Sequence, residues 1–270
     1  MTTLEFKNVS KVYRVRGAKS EKKELLAVDD VSFTLTSGRT VALVGQSGSG
    51  KSTIAKLLMQ LERPTRGQIL LDGKPIARRG TGLRDYRRQV QMVFQDPFAS
   101  LNPYHSVSHH LARPLRIHDR AKSREQIELR VEHLLERVRL LPAAEMAAKH
   151  PHEMSGGQRQ RVAIARALAP EPRMLIADEP VSMLDVSIRL GVLNLLAGLQ
   201  REDDLGVLYI THDLATARHF SDEILVMYQG RIVEHGPSDE VILNPQHEYT
   251  KLLAAAAPNP ELRLKALRRP

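Results

Sequence analysis

The sequence predicts an α/β fold built on a buried parallel sheet. Unbroken apolar runs at 174–177, 207–210 and 224–227 are typical of strands that are covered on both faces. A further short run, 41–44, leads into a glycine-rich loop and an amphipathic helix, and residues 4–35 alternate apolar and polar side chains. Because a period of two indicates half-exposed strands, we expect an antiparallel β subdomain beside the parallel sheet.

Composition limits the class of protein. The 270 residues are 42% apolar and 26% charged, which suits one large or two small globular domains. No apolar run approaches the roughly 20 residues of a membrane span, and residues 1–5 lack the form of a secretory signal. We therefore expect a cytosolic location. The sequence has no cysteine, which excludes disulfides, thiolate metal sites and iron–sulfur clusters.

The net charge of +9 would suit nucleic acid or an anionic membrane surface. Much of it lies in dispersed arginines and in the stretch 263–269, however, so a solvated surface is the better explanation. No nucleic-acid partner is expected on charge alone.

The first 95 residues show strands, turns and one helix. A polar loop at 16–24 is expected between the early alternating strands. The later elements are a turn at 64–67, a strand at 69–71 closed by a turn at 72–73, and a strand at 90–94 that ends at Gln95. Together with 157–237, residues 1–95 are predicted to form one α/β core with its antiparallel β subdomain.

The character of the chain changes at 96–156, which we expect to be a helical insertion. Proline and histidine punctuate its first part, and Ser123 is placed to cap a long helix with an apolar face from Ile127 to Val138. The α/β pattern then resumes and includes a hairpin turn at 229–230. Residues 238–270 form a C-terminal extension that is first helical and then proline-punctuated and basic.

The loop at 41–52 carries the strongest chemical signal. Gly45 is followed by four residues and then by Gly50, Lys51 and Ser52, between a strand and a helix. This is the phosphate-binding P-loop, so the core is predicted to be a P-loop NTPase of RecA-like type. Lys51 is placed to reach the β- and γ-phosphates, and the Ser52 hydroxyl to hold Mg²⁺. The expected contacts of the nucleotide here are Gly45, Gln46, Ser47, Gly48, Ser49, Gly50, Lys51, Ser52 and Thr53.

Two other motifs could act on the same phosphates. Asp178 and Glu179 end a predicted parallel strand, where ligands usually bind; Asp178 would orient Mg²⁺, and Glu179 would accept a proton from the attacking water. Alone, the pair could be a solvated acidic turn. Residues 155–158 (Ser-Gly-Gly-Gln) open an Ala- and Arg-rich helix and form either a second anion site or a simple helix cap.

In their order and spacing these residues resemble the ATP-binding-cassette ATPases over nearly the whole chain. The motifs that carry the resemblance are the signature loop Ser155, Gly156, Gly157 and Gln158, the Q-loop Gln95, the Walker B pair Asp178 and Glu179, the D-loop 182–185 and the switch His212. The resemblance implies a head-to-tail dimer that holds two ATPs, each between one chain's P-loop and the other chain's signature loop. It also implies that Tyr13 stacks on adenine, that His212 contacts the γ-phosphate, that Gln95 contacts Mg²⁺ or water, and that Asp185 lies at the dimer interface.

Within that family the chain is most similar to the ATPase subunits of oligopeptide, dipeptide and nickel importers, through 91–103 and 151–161. It departs from the pattern at Met183, where a small alanine is usual, and in lacking a C-terminal cysteine cluster. The resemblance implies an ATP-hydrolysing importer subunit for peptides or a similar small solute, on the cytoplasmic face of the membrane. Its partners would be transmembrane permease chains, a second ATPase chain, identical or paralogous, and, indirectly, an extracytoplasmic solute-binding protein.

Two other functions compete with that of an importer ATPase. A cassette ATPase that acts on nucleic acid or ribosomes would be expected to carry long insertions or two cassettes, which this sequence lacks. A P-loop kinase would leave residues 155–158 and Asp185 unexplained.

Overall fold

The computed structural model describes residues 1–16 and 22–256, which form two β-sheets and their covering helices. The strands are β1 (Thr3–Arg16), β2 (Lys22–Thr36), β3 (Thr40–Val44), β4 (Arg66–Leu71), β5 (Lys74–Pro75), β6 (Val90–Val93), β7 (Met174–Asp178), β8 (Gly206–Thr211), β9 (Glu223–Tyr228) and β10 (Arg231–Pro237). The helices are α1 (Lys51–Leu58), α2 (Gly80–Gln89), α3 (Pro97–Ser100), α4 (Val107–Ile117), α5 (Arg124–Arg137), α6 (Ala143–Ala148), α7 (Gly156–Leu168), α8 (Val186–Glu202), α9 (Leu214–Phe220), α10 (Ser238–Leu243) and α11 (Glu248–Ala256).

The larger sheet is the predicted parallel one. Its strand order is β10-β9-β3-β8-β7-β6, and only β10 runs antiparallel to its neighbour. Val44, at the end of β3, pairs with Thr211 at the end of β8, and Asp178, at the end of β7, pairs with Ile210. The carboxyl ends of three central strands therefore meet at one edge of the sheet, which brings the loops after Val44, Asp178 and Thr211 together.

The smaller sheet is antiparallel, with the order β2-β1-β4-β5, and confirms the early alternating strands. The predicted polar loop 16–24 is partly wrong, because residues 22–24 pair with β1 as the start of β2. A two-stranded ribbon can keep polar side chains in solvent while its backbone groups pair, so polarity alone does not mark a loop. Tyr13 lies within β1, and residues 17–21 lie outside the described part of the chain.

The parallel sheet separates two buried cores. Alternate residues of β3 point to opposite faces: Ala42 and Val44 belong to one core, and Val41 and Leu43 to the other. The first core also contains the buried apolar side chains of the helical segment 97–153, whereas the second lies beneath α1 and the antiparallel sheet. The helical segment therefore shares a core with the sheet.

Capping side chains fix where several helices begin. Ser123 caps α5, as predicted, in a reciprocal capping box with Gln126, and Val138 lies just beyond the helix end.

In the described ranges, no helix is both long and apolar enough to span a bilayer. The predicted basic stretch at 263–269 lies outside the described residues.

Candidate active site

A cavity of about 990 Å³ opens at the carboxyl edge of the parallel sheet. Many of the site residues predicted from the sequence line it: Tyr13, Gln46, Ser47, Gly48, Gly50, Lys51, Ser52, Thr53, Gln95, Glu179 and His212. The other site residues predicted from the sequence do not line it: Gly45, Ser49, Asp178, 155–158 and Asp185. Residues from five separate parts of the sequence thus converge on one space, whose volume suits a nucleotide.

The P-loop is shaped by glycines where a side chain would collide. A Cβ on Gly45 would lie 2.3 Å from the Met227 carbonyl oxygen. Gly50 has φ +114°, and a Cβ there would lie 2.4 Å from the Ala27 carbonyl oxygen. Helix α1 begins immediately after Gly50, so its first backbone N–H groups, which have no intrahelical acceptors, lie beside the cavity. The loop is therefore suited to hold an anion.

Lys51 is held against the loop that precedes it. Its Nζ donates to the carbonyl oxygens of Gly45 at 2.6 Å and Gln46 at 3.0 Å. An ammonium group has three N–H donors, so one remains for a phosphate oxygen. Burial lowers the pKa of Lys51, and the negative charges of Glu179 and Asp178 oppose that shift.

The carboxylate of Glu179 contacts two other catalytic candidates. His212 Nδ1 lies 3.2 Å from its Oε1, and Gln95 Nε2 donates to its Oε2 at 3.2 Å. The Glu179 backbone has φ +44°, and its N–H donates to the Ile210 carbonyl oxygen at 2.9 Å. The carboxylate is thus held at the cavity wall between an imidazole and an amide, a geometry suited to orienting a water molecule and taking its proton.

Asp178 supplies a second carboxylate, at the end of β7. Burial and the neighbouring Glu179 charge raise its pKa, while Lys51 and Lys56 act in the opposite direction. Across the described ranges, His, Asp and Glu side chains form no cluster of three or more arranged to hold a metal ion. Mg²⁺ takes few protein ligands and prefers oxygen. The hydroxyl of Ser52, the amide oxygen of Gln95 and the carboxylate of Asp178 fit that preference.

The Ser-Gly-Gly-Gln loop forms a helix cap, which is one of the two structures that the sequence allows for it. Ser155 Oγ accepts the backbone N–H of Gln158 at 3.3 Å, and Gln158 Oε1 accepts that of Ser155 at 2.9 Å. A Cβ on Gly157 would lie 2.7 Å from Ile188 Cγ2, so glycine there lets α7 approach α8 closely. Asp185 immediately precedes α8. A role of this loop toward a partner's nucleotide stays a prediction.

Sequence reasoning missed several lining residues, namely Leu25, Leu26, Ala27, Gln229 and Gly230. The last two were identified only as a hairpin turn. Leu25 and Leu26 directly follow a polar stretch in the sequence, which is a local signal that could have marked them, and both are exposed in the structure. Tyr13 lines the same side, and Lys11 Nζ lies 4.8 Å from the centre of its ring.

A P-loop on a parallel sheet, facing a carboxylate, an amide and an imidazole from neighbouring strands, defines the class of P-loop nucleotide-hydrolysing proteins. The family model described as "ABC transporter" matches residues 28–182. The chain belongs to the ABC transporter family and is an ATPase of the ATP-binding-cassette type, as its resemblance predicted.

Individual relatives agree. The chain is 46% identical over 261 residues to a probable peptide ABC transporter ATP-binding protein of Sinorhizobium fredii, covering 96% of this chain and 73% of the relative. It is 45% identical over 261 residues to the oligopeptide transport ATP-binding protein AppF of Bacillus subtilis, covering 95% and 78%. Among solved structures, the dimeric ATP-binding cassette MJ0796, bound to ADP and Pi after hydrolysis, matches with a TM-score of 0.76 and 31% identity, covering 87% of this chain and 98% of that one.

Proposed function

We propose that this ATPase energises the uptake of peptides or a similar small solute through separate transmembrane permease chains. The observation that carries the proposal is the convergence of Lys51, Gln95, Glu179 and His212 on one cavity. Similarity to two peptide-transport ATP-binding proteins over at least 95% of the chain supports the solute class.

The reaction proposed at this site is water attack on the γ-phosphate of ATP. Lys51 and the P-loop N–H groups hold the phosphates and stabilise the developing negative charge. Glu179 accepts the proton of the water, which Gln95 and His212 help to orient, and Tyr13 stacks on the base. Ser52, Gln95 and Asp178 would hold Mg²⁺, which supplies further charge neutralisation at the phosphates when bound.

The site is proposed to be completed by a second ATPase chain, identical or paralogous. Residues 155–158 and Asp185 lie outside the cavity of their own chain, as a role toward a partner's nucleotide requires. Met183 is 53% exposed, which places a large flexible side chain on the surface proposed for dimer contact. The solved relative with ADP and Pi is itself a dimer.

An exposed apolar surface flanks Gln95 and is proposed to contact the permease. Phe94 and Phe98 are about half exposed and Tyr104 is 87% exposed, although such side chains are usually buried. Phe98 lies against Arg159 of α7, the helix that the Ser-Gly-Gly-Gln loop opens, with 4.2 Å from the guanidinium carbon to the ring centre. The segment 98–104 therefore connects Gln95 and α7 to a free surface.

This arrangement would place the chain on the cytoplasmic face of the membrane, with a solute-binding protein acting indirectly from the other side. The division into a core (1–95 and 157–237), a helical subdomain (96–156) and an extension (238–270) is part of the same proposal. Dimer closure on ATP and reopening after hydrolysis would pass through the segment 98–104 as a population shift.

Co-purification of the tagged chain from membranes, with every bound chain identified, tests the proposal. Vesicles that contain the purified complex should accumulate a labelled peptide when ATP is enclosed on the cassette side, and the same complex with Glu179→Gln should not. Recovery without any membrane-spanning chain, or ATP hydrolysis that depends on RNA or ribosomes, would favour the nucleic-acid alternative instead.

A further inference from the structure

The hydroxyl of Tyr249 contacts the start of the P-loop from a position 203 residues further along the chain. The backbone N–H of Gln46 donates to Tyr249 Oη at 2.9 Å. We propose that Tyr249 is a positioning residue for the P-loop, and that the C-terminal helix α11 sets the affinity for ATP through this contact. The inference rests on the proposed nucleotide site and adds a residue of the C-terminal extension to it.

The contact is made to the same peptide group that anchors Lys51. The peptide between Gly45 and Gln46 donates its N–H to Tyr249, and its carbonyl oxygen accepts from Lys51 Nζ at 2.6 Å. Because a peptide group is planar and trans, its N–H and C=O point in opposite directions and cannot turn independently. Fixing the N–H therefore fixes the direction of the oxygen on which the Lys51 ammonium rests.

Tyr249 is itself held firmly enough to act as a support. It is only 7% exposed, and its ring packs on Tyr228 at the end of β9, with 4.2 Å between the ring centres. Its own N–H donates to His247 Nδ1 at 3.1 Å. Glu234 of β10 accepts the backbone N–H groups of Gln246 at 2.7 Å and His247 at 3.0 Å, which ties the start of α11 to the sheet.

A purely structural role for the hydroxyl is the competing explanation, because a buried tyrosine O–H usually finds a partner. The two explanations differ in what is lost when the hydroxyl is removed. A structural bond contributes to global stability alone. A positioning bond changes the P-loop itself, and the loss of one bond worth about 0.5–1.5 kcal/mol should weaken ATP binding about two- to tenfold.

The test compares Tyr249→Phe with Tyr86→Phe in the full chain. Tyr86 is a matched control, since its buried hydroxyl also bonds to backbone, the Leu58 carbonyl oxygen at 2.5 Å, but at the far end of α1. Four quantities are measured: amide hydrogen exchange of Gln46 without nucleotide, the Kd for ATP by calorimetry, and KM and kcat for hydrolysis. Tyr249→Phe should speed Gln46 exchange and raise Kd and KM about two- to tenfold. The kcat should stay within about twofold of wild type, because the lost interaction binds the ground state and the transition state equally.

Tyr86→Phe should lower thermal stability while keeping Gln46 exchange and the Kd for ATP at wild-type values. Unchanged Gln46 exchange and Kd in Tyr249→Phe, or equal changes in both variants, would overturn the inference. Failure of the wild-type chain to bind ATP would instead refute the proposed function. The two failures are distinguishable, because the exchange measurement needs no nucleotide.

Discussion

Replacing Glu179 by glutamine tests the chemical assignment most directly. The side chain keeps its size, but an amide oxygen cannot accept a proton from water at neutral pH. The structure also predicts that at most one hydrogen bond is lost. Gln95 Nε2 donates to one carboxylate oxygen, and His212 Nδ1 lies 3.2 Å from the other, so the new amide nitrogen must face one of them.

The loss of a general base and the loss of one hydrogen bond slow hydrolysis by amounts that differ enough to be told apart. One hydrogen bond contributes about 0.5–1.5 kcal/mol, so its loss alone would slow hydrolysis about two- to tenfold. Removing a general base typically costs about 10²- to 10⁴-fold in rate, or roughly 3–5 kcal/mol in the barrier. If Glu179 is the base, turnover should therefore fall at least about a hundredfold.

The assay measures ATP turnover and, separately, ATP binding by calorimetry. Glu179→Gln should retain ATP binding, since the P-loop and Lys51 are untouched, while turnover collapses. Glu202→Gln is the matched control, because this exposed carboxylate at the end of α8 lies outside the cavity and should leave both quantities unchanged. Turnover within tenfold of wild type in Glu179→Gln would refute the general-base role.

Three further predictions concern the same cavity. Lys51→Ala should weaken ATP binding about ten- to a hundredfold, the loss of a hydrogen bond to a charged group, whereas Lys56→Ala on the same helix should not; equal affinities by calorimetry would contradict the assignment. A Ser155→Arg chain mixed with a Lys51→Ala chain should recover ATP turnover that neither shows alone, because one composite site is then intact, and no recovery on mixing would argue against sharing across a dimer. Burial raises the pKa of Asp178, so the folded state gains from its protonated form at low pH and loses that stabilisation as pH rises. Asp178→Asn should accordingly melt above wild type at neutral pH without nucleotide and match it at acidic pH, and a gap independent of pH would refute this.

Local sequence signals predicted the elements around the site well. The apolar strands, the capping serine of α5 and the P-loop depend on residues close together in sequence, so their patterns are visible without the fold. The parallel strands then bring Glu179 and His212 together as a consequence of topology, because β7 and β8 are neighbours that end at the same edge.

Contacts between distant segments could not be predicted in this way. Nothing near Tyr249 indicates that its hydroxyl reaches Gln46, since that contact depends on where β9 and β10 place the C-terminal extension. The early polar stretch was misassigned for a related reason: backbone pairing across the β1–β2 ribbon decided its structure, and side-chain polarity did not. Leu25 and Leu26 line the cavity through the same pairing.

The electrostatics of the site show that burial leaves the charges of two of its groups incompletely compensated. Burial disfavours the charge on both Lys51 and Asp178, and their mutual attraction offsets this only in part, because the pKa of Lys51 still falls and that of Asp178 still rises. A sequence selected for stability alone would have little reason to keep two such charges beside Glu179. The free-energy cost of burying these charges is explained if a bound polyphosphate and a bound cation complete the charge balance. Each would then bind more tightly in the presence of the other.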